Sequence, residues 1–151
     1  MKKILSLVAS LTIIAGVCAG VLAYIDSITK EPIKETAAKN EQAAREAVLC
    51  GEEGYAAIGV SEKGYGGTVK LMVGFKKDKK TVISYRKLEA SETPGLGMKL
   101  TDPEWSKQFK GKDGTALKVK KDGGEIEAIT AATITSRAVC EAIADARSKL
   151  K

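Results

Sequence analysis

The chain has 151 residues, with 25 basic and 19 acidic side chains and a formal charge of +6; that length allows one apolar segment plus a single domain with a modest core. Histidine is absent, which removes histidine-ligated haem, most zinc sites and histidine-based triads at once. The two Phe, four Tyr and one Trp are scattered and the basic excess is spread along the chain, so the clustered stripe and stacking platform of nucleic-acid binding are missing and no nucleic-acid partner is expected.

Met1-Lys2-Lys3 leads into an uncharged run from Ile4 to Ile25. About 20 apolar residues span a bilayer core as a helix, and a secretory signal has a shorter apolar region. Residues 1–26 therefore read as a retained, single-pass anchor. Val17 stands before Cys18, where a lipoprotein signal wants a small residue, which argues against lipidation. Lys2 and Lys3 place the N-terminus in the cytoplasm by the positive-inside rule, and the domain on the outer side. Residues 27–50 read as an amphipathic connecting helix. Ser27 is its cap, Pro32 lies near its start, Ala37, Ala44, Ala47, Val48 and Leu49 form a thin apolar face, and Gly51 is its stop. That face suits either a stalk packed on its own domain or a docking surface for partner subunits.

Residues 51–151 form the domain. Tyr55–Val60 reads as a strand, Gly64-Tyr65-Gly66-Gly67 as a turn and Thr68–Phe75 as a second strand. Lys76–Lys80 is a charged, solvated hairpin tip before a third strand, Thr81–Tyr85. In Glu92-Thr93-Pro94-Gly95-Leu96-Gly97, proline and glycine force a turn, and the glycines permit close backbone approach. Asp102 caps a short helix with Pro103 at its first position; Trp105 and Phe109 on it read as core aromatics. Leu117–Lys121, Asp122-Gly123-Gly124 and Glu125–Ile129 read as a hairpin. A last helix runs to Leu150, with Val139, Ala142, Ile143, Ala146 and Leu150 on one face. The fold class is α+β: an N-terminal transmembrane helix and a small antiparallel sheet flanked by helices.

The junction into that last helix carries the chemistry. Within Glu127–Ser136 stand Thr130, Thr133, Thr135 and Ser136, beside the small residues Ala131 and Ala132. The first turn of a helix leaves backbone N–H groups unpartnered and partly positive, which stabilises an anion, above all a phosphate. The same local sequence also fits a Ser/Thr-rich helix cap.

Glu127-x-x-Thr130-Ala131-Ala132-Thr133 resembles the flavinylation motif Asp-x-x-(Ser/Thr)-Gly-Ala-Thr, with Glu127 in place of Asp and Ala131 in place of Gly. Together with Glu92–Gly97, Gly64–Gly67 and the apolar N-terminus, it makes the chain similar to the G subunit of the Rnf electron-transport complex. The related C subunit of the sodium-translocating quinone reductase shares the domain. The resemblance implies FMN bound covalently as a phosphoester of Thr133, attached by a separate flavin transferase. Thr130, Thr135 and Ser136 are then hydroxyl donors near the phosphate, and Arg137 offers a charge-assisted hydrogen bond. Glu92, Thr93, Leu96 and Gly97 are the implied flavin-ring contacts. No catalytic side chain and no metal site is expected.

The implied function is electron relay by a membrane-anchored flavoprotein subunit of an ion-translocating ferredoxin:NAD oxidoreductase, without independent catalysis. The implied partners are polytopic membrane subunits and iron–sulfur and flavin subunits, in a bacterial or archaeal cell membrane. The alternative class is a membrane-tethered extracytoplasmic binding or structural module without covalent flavin. Cys18, Cys50 and Cys140 form no Cys-x-x-Cys, so a zinc or iron–sulfur site within this chain alone is not expected. Outside the cytoplasm Cys50 and Cys140 could pair. Cys18 reads as an anchor residue that could, at an interface, join a partner's metal site. The family has more residues between its first helix and first strand than the stretch from Cys50 to Tyr55.

Overall fold

The computed structural model describes residues 2–150, with side chains from residue 4 onward. The side chains of Lys2 and Lys3, which carry the orientation expectation, thus lie outside the described residues. The chain divides into two compact units, Met1–Lys39 and Asn40–Lys151. The first belongs to helix α1, Lys2–Leu49. Its apolar side chains between Ile4 and Ile33 are exposed. By length and composition α1 can cross a membrane.

No helix starts at Ser27. α1 runs through it, and the Ser27 hydroxyl donates to the Tyr24 carbonyl at 2.7 Å instead of capping. Pro32 also lies inside α1, where it removes one backbone donor but does not end the helix. The stop falls where glycine predicts it. After Leu49, Cys50 and Gly51 both take positive φ, 48° and 79°, closing the helix in a left-handed cap.

In the second unit three antiparallel strands, β1 (Gly54–Gly64), β2 (Gly67–Lys76) and β3 (Val82–Ala90), form a meander with β2 in the centre. Period-two alternation sends Val69, Leu71, Val73 and Phe75 of β2 to one face. There they meet Ala138, Val139, Ala142, Ile143 and Ala146 of the last helix, α3 (Thr133–Ser148). Met72 points to the other face, against Ala44 and Val48 at the end of α1. A glycine on each face lets the helix in. A Cβ at Gly59 would lie 1.8 Å from the Ala142 carbonyl oxygen, and one at Gly74 would lie 2.4 Å from that of Val48.

The short helix α2 (Pro103–Ser106) starts as its sequence predicts, with the Asp102 side chain accepting from the Glu104 N–H at 3.0 Å. Phe109 is fully buried and stands edge-on to Tyr85 and Trp105, at centroid distances of 5.4 and 5.1 Å. Phe109 is core as expected but belongs to a separate 3-10 turn, Lys107–Phe109, and Trp105 is half-buried, packed against the core. Burial raises the pKa of the Tyr85 phenol, whose O–H donates to the Leu100 carbonyl at 2.6 Å.

The hairpin expected over 117–129 does not form. Lys120–Asp122 is a 3-10 turn ended by Gly123 at φ 78°. The chain then doubles back, so Val119 and Ile126 meet in an isolated parallel bridge. Close packing explains the departure: a Cβ at Gly124 would sit 2.1 Å from the Lys118 carbonyl oxygen. Leu117, Val119, Ile126 and Ile129 are apolar because they serve the core, not a ladder. All three cysteines are free; Cys50 is exposed and Cys140 buried, so the possible Cys50–Cys140 bridge is absent. Burial pushes the Cys140 thiol up to about 12.

Candidate functional site

Three separated segments converge at the start of α3. They are the β1–β2 turn at Tyr65, the loop from Glu92 to Gly97, and the junction from Ala131 to Thr135. Together they line a cavity of about 470 Å³, within the ~300–1,000 Å³ typical of small-molecule sites.

The junction is shaped by one backbone choice. Ala131 takes φ 62°, a left-handed conformation that costs an L-residue with a Cβ about 1 kcal/mol. It turns the chain sharply, so Thr133 begins α3 half-buried at the cavity wall. No side chain caps α3, whose N-cap residue is Ala132. The Ser/Thr-rich cap that the local sequence allowed is therefore not formed. The hydroxyls are engaged elsewhere. Thr135 donates to Glu92 Oε2 at 2.6 Å. Ser136, fully buried, donates to the Ala132 carbonyl at 3.0 Å and accepts from the Ile129 N–H at 2.9 Å. The partly positive N–H groups of the first turn thus remain available at the cavity.

Glu92 is the organising side chain. It is only 6% exposed, and its carboxylate accepts from the Thr135 hydroxyl and, at 3.3 Å, from the Gly66 N–H. It therefore ties the turn, the loop and the helix together. Gly97 is buried against this pair: a Cβ there would lie 2.5 Å from Glu92 Oε2 and 2.8 Å from Thr135 Oγ1. Within the loop, the Thr93 carbonyl accepts from the N–H groups of Leu96 and Met98.

Of the residues singled out from the sequence, Glu92, Thr93, Leu96, Gly97, Thr133 and Thr135 share this cavity. Thr130 is exposed and Ser136 buried, and neither lines it. Arg137 points elsewhere, its guanidinium making two 2.7 Å bonds to the Asp122 carboxylate. That bonding raises the Arg137 pKa and lowers that of Asp122. Glu127 is exposed and pairs with Lys120 at 3.2 Å. Its backbone carbonyl accepts from Trp105 Nε1 and Gln108 Nε2, fixing the approach to the junction.

Sequence reasoning missed Tyr65, Ile134 and Lys121. Tyr65 and Ile134 are exposed apolar residues on the cavity rim. Lys121 Nζ lies 3.4 Å from Thr133 Oγ1. The exposed aromatic of the Gly-Tyr-Gly-Gly turn was the available signal for Tyr65.

The parts suit a ligand carrying a phosphate at one end and a flat apolar group along the cavity. An uncapped helix start and a hydroxyl receive the anion. A loop whose Gly97 packs directly on the Glu92–Thr135 pair brings main chain to the cavity wall, where a planar group can lie against it.

Comparison with known proteins agrees. A sequence model of the FMN-binding domain matches residues 64–148, a stretch containing every residue of the cavity. The G subunit of the ion-translocating oxidoreductase complex of Vibrio atlanticus is 38% identical over 128 residues, covering 80% of this chain and 61% of its own length. The G subunit of the proton-translocating ferredoxin:NAD(+) oxidoreductase complex of Clostridium ljungdahlii is 40% identical over 92 residues, covering 59% of this chain and 49% of its own length. The chain thus spans about half to three-fifths of the length of these curated relatives. The crystal structure of the C subunit of the Na(+)-translocating NADH-quinone reductase from Parabacteroides distasonis superposes with a TM-score of 0.50 at 27% identity, over 61% of this chain and 51% of that one. These are the two kinds of subunit toward which the Glu92–Gly97 and Glu127–Thr133 motifs pointed. With more than half its length matched and the whole cavity inside the match, the chain belongs to the FMN-binding domain family.

Proposed function

We propose that this chain carries FMN as a phosphoester of Thr133 Oγ1 and relays electrons as a membrane-anchored subunit of an Rnf-type ion-translocating ferredoxin:NAD oxidoreductase. The observation that carries the reading is the meeting of the Thr133 hydroxyl, the uncapped start of α3 and the Glu92–Gly97 loop around one cavity. In this reading α1 is the single membrane span, the domain is extracytoplasmic, and a flavin transferase makes the bond. The translocase activity belongs to the whole complex, with its polytopic membrane subunits and iron–sulfur and flavin subunits.

FMN, when bound, supplies the electron chemistry of its isoalloxazine. The protein supplies position. Thr133 is an acceptor and not a catalyst. The first-turn N–H groups of α3 stabilise the phosphate charge. Thr135 commits its hydroxyl to Glu92, and that pair holds the loop so that Thr93, Leu96 and Gly97 face the ring. Ser136, bonded to the Ala132 carbonyl and the Ile129 N–H, keeps the junction in the turn that presents Thr133.

Mass spectrometry after co-expression with a flavin transferase tests the attachment. The fragment following Lys121 should gain the mass of FMN on Thr133, and Thr133→Val should give a folded, colourless protein. An unmodified fragment, or flavin on Thr130 or Thr135, overturns the assignment. For the assembly, detergent purification through a tag on this chain should bring polytopic and iron–sulfur subunits. Recovery of the chain alone, with membrane ferredoxin–NAD activity unchanged on its deletion, rejects that part.

A further inference from the structure

A phosphodiester on Thr133 would carry one negative charge, and the cavity lining contains no cation. Its one ionisable side chain apart from Tyr65 is Glu92, itself an acid. Helix N–H groups supply part of the counter-charge. A full positive charge comes from outside the lining, from Lys121. Its Nζ is 3.4 Å from Thr133 Oγ1, the atom proposed to be esterified.

The neighbouring cations are engaged elsewhere. Lys120, adjacent in sequence, pairs with Glu127 at 3.2 Å. Arg137, one turn into α3, is bound through two nitrogens to Asp122. Lys121 has no acidic partner within salt-bridge distance among the described residues. The Asp122–Arg137 pair also gives Lys121 its place. Asp122 follows Lys121 in the same 3-10 turn, and Arg137 belongs to the helix that Thr133 starts. A two-bond Arg–carboxylate contact fixes orientation as well as distance, so it anchors the lysine's turn to the helix bearing the hydroxyl.

We infer that Lys121 is the cationic ligand of the attached phosphate, held beside Thr133 by the Asp122–Arg137 clamp. The inference rests on the proposed Thr133 phosphoester. It assigns to Lys121 the role that the sequence offered to Arg137.

The test uses the full chain in detergent, loaded by co-expression with a flavin transferase, in wild-type, Lys121→Met, Lys121→Arg and Lys120→Met forms. The first readout is the phosphorus NMR resonance of the protein-bound flavin. It should move in Lys121→Met, return toward wild type in Lys121→Arg and stay in place in Lys120→Met. The second is the time course of flavin attachment. Lys121→Met should slow it about fivefold to tenfold, as expected for losing one partly solvated charge contact. Lys121→Arg should stay within about twofold of wild type, since it retains a charge-assisted donor. The Lys121 side chain is on the surface, so the variants should unfold at the wild-type denaturant concentration. A phosphorus resonance of Lys121→Met superimposable on wild type overturns the inference, whatever the time course shows. Flavin retained on Thr133→Val, or none on the wild-type chain, is a different failure and removes the underlying phosphoester reading.

Discussion

Two cavities of similar size open on the second unit, and they are built from different material. One is the site cavity, of about 470 Å³. The other, of about 430 Å³, is bordered by Asn40, Arg86, Lys87, Thr101 and Ser106 over a floor of Tyr85 and Leu100. In the second, Asn40 and Arg86 are exposed long or polar side chains, free to change rotamer at little cost. The Tyr85 hydroxyl in its floor already has the Leu100 carbonyl as partner. The site cavity also carries exposed side chains on its rim, Tyr65, Leu96 and Ile134, but its inner wall is set by a left-handed Ala131, a buried Gly97 and a buried carboxylate that joins three segments. Volume does not mark a ligand site. Constraint does, because a site must hold its groups in place before the ligand arrives.

The contrast between the two cavities should break first at Gly66. A Cβ there would lie 1.7 Å from the Ser91 carbonyl oxygen, backbone against backbone. Gly66→Ala should therefore cost about 3 kcal/mol of unfolding free energy, at the upper end of overpacking effects, and abolish flavin attachment. Thr101→Val on the rim of the second cavity should change stability by less than about 0.5 kcal/mol and leave attachment untouched. Urea unfolding with flavin mass analysis reads both; equal losses from the two variants would erase the distinction.

Glu92→Ala comes next. It leaves the Thr135 hydroxyl and the Gly66 N–H without their shared acceptor, at about 2 kcal/mol. Glu92→Gln retains an acceptor oxygen and should lose less. Urea midpoints separate the two; equal losses would mean that the side chain acts through its charge alone.

The smallest effect sharpens the picture from the other side. Ala131→Gly relieves the left-handed alanine but loosens the unfolded chain, for a net gain of about 0.5–1 kcal/mol. Attachment to Thr133 should persist. A loss of stability would show that the Ala131 methyl packs as well as turns.

Much of this was legible from residue order. β1 to β3 followed alternation and turn glycines, α2 followed Asp102-Pro103, and α3 followed its apolar face. The loop and junction that form the cavity were named from Glu92–Gly97 and Thr130–Ser136. Three features escaped because each is decided by the fold. Asp122-Gly123-Gly124 has hairpin composition, but Gly124 serves close packing on Lys118 and Gly123 ends a 3-10 turn. Ser27 has the chemistry of a cap, but in a helix with apolar sequence before it the hydroxyl bonds back to Tyr24. Arg137 stands one turn from Thr133, but Asp122, 15 residues earlier, claims it and leaves Lys121 at the hydroxyl.

Glu92 has a consequence for motion as well as for shape. Its partners lie 26 residues before it and 43 after it, in the β1–β2 turn and in α3. Ligand-binding loops are usually drawn from the least stable parts of a protein and open on their own. A loop secured at its first residue to the β1–β2 turn and to α3 opens only by breaking both bonds, at about 2 kcal/mol. The amide of Gly66 should therefore exchange its hydrogen about thirtyfold more slowly than a free turn amide, the factor that about 2 kcal/mol gives, although the residue sits exposed in a hairpin turn. Under the proposed function, rigidity of that kind keeps the geometry around the flavin the same from one electron transfer to the next.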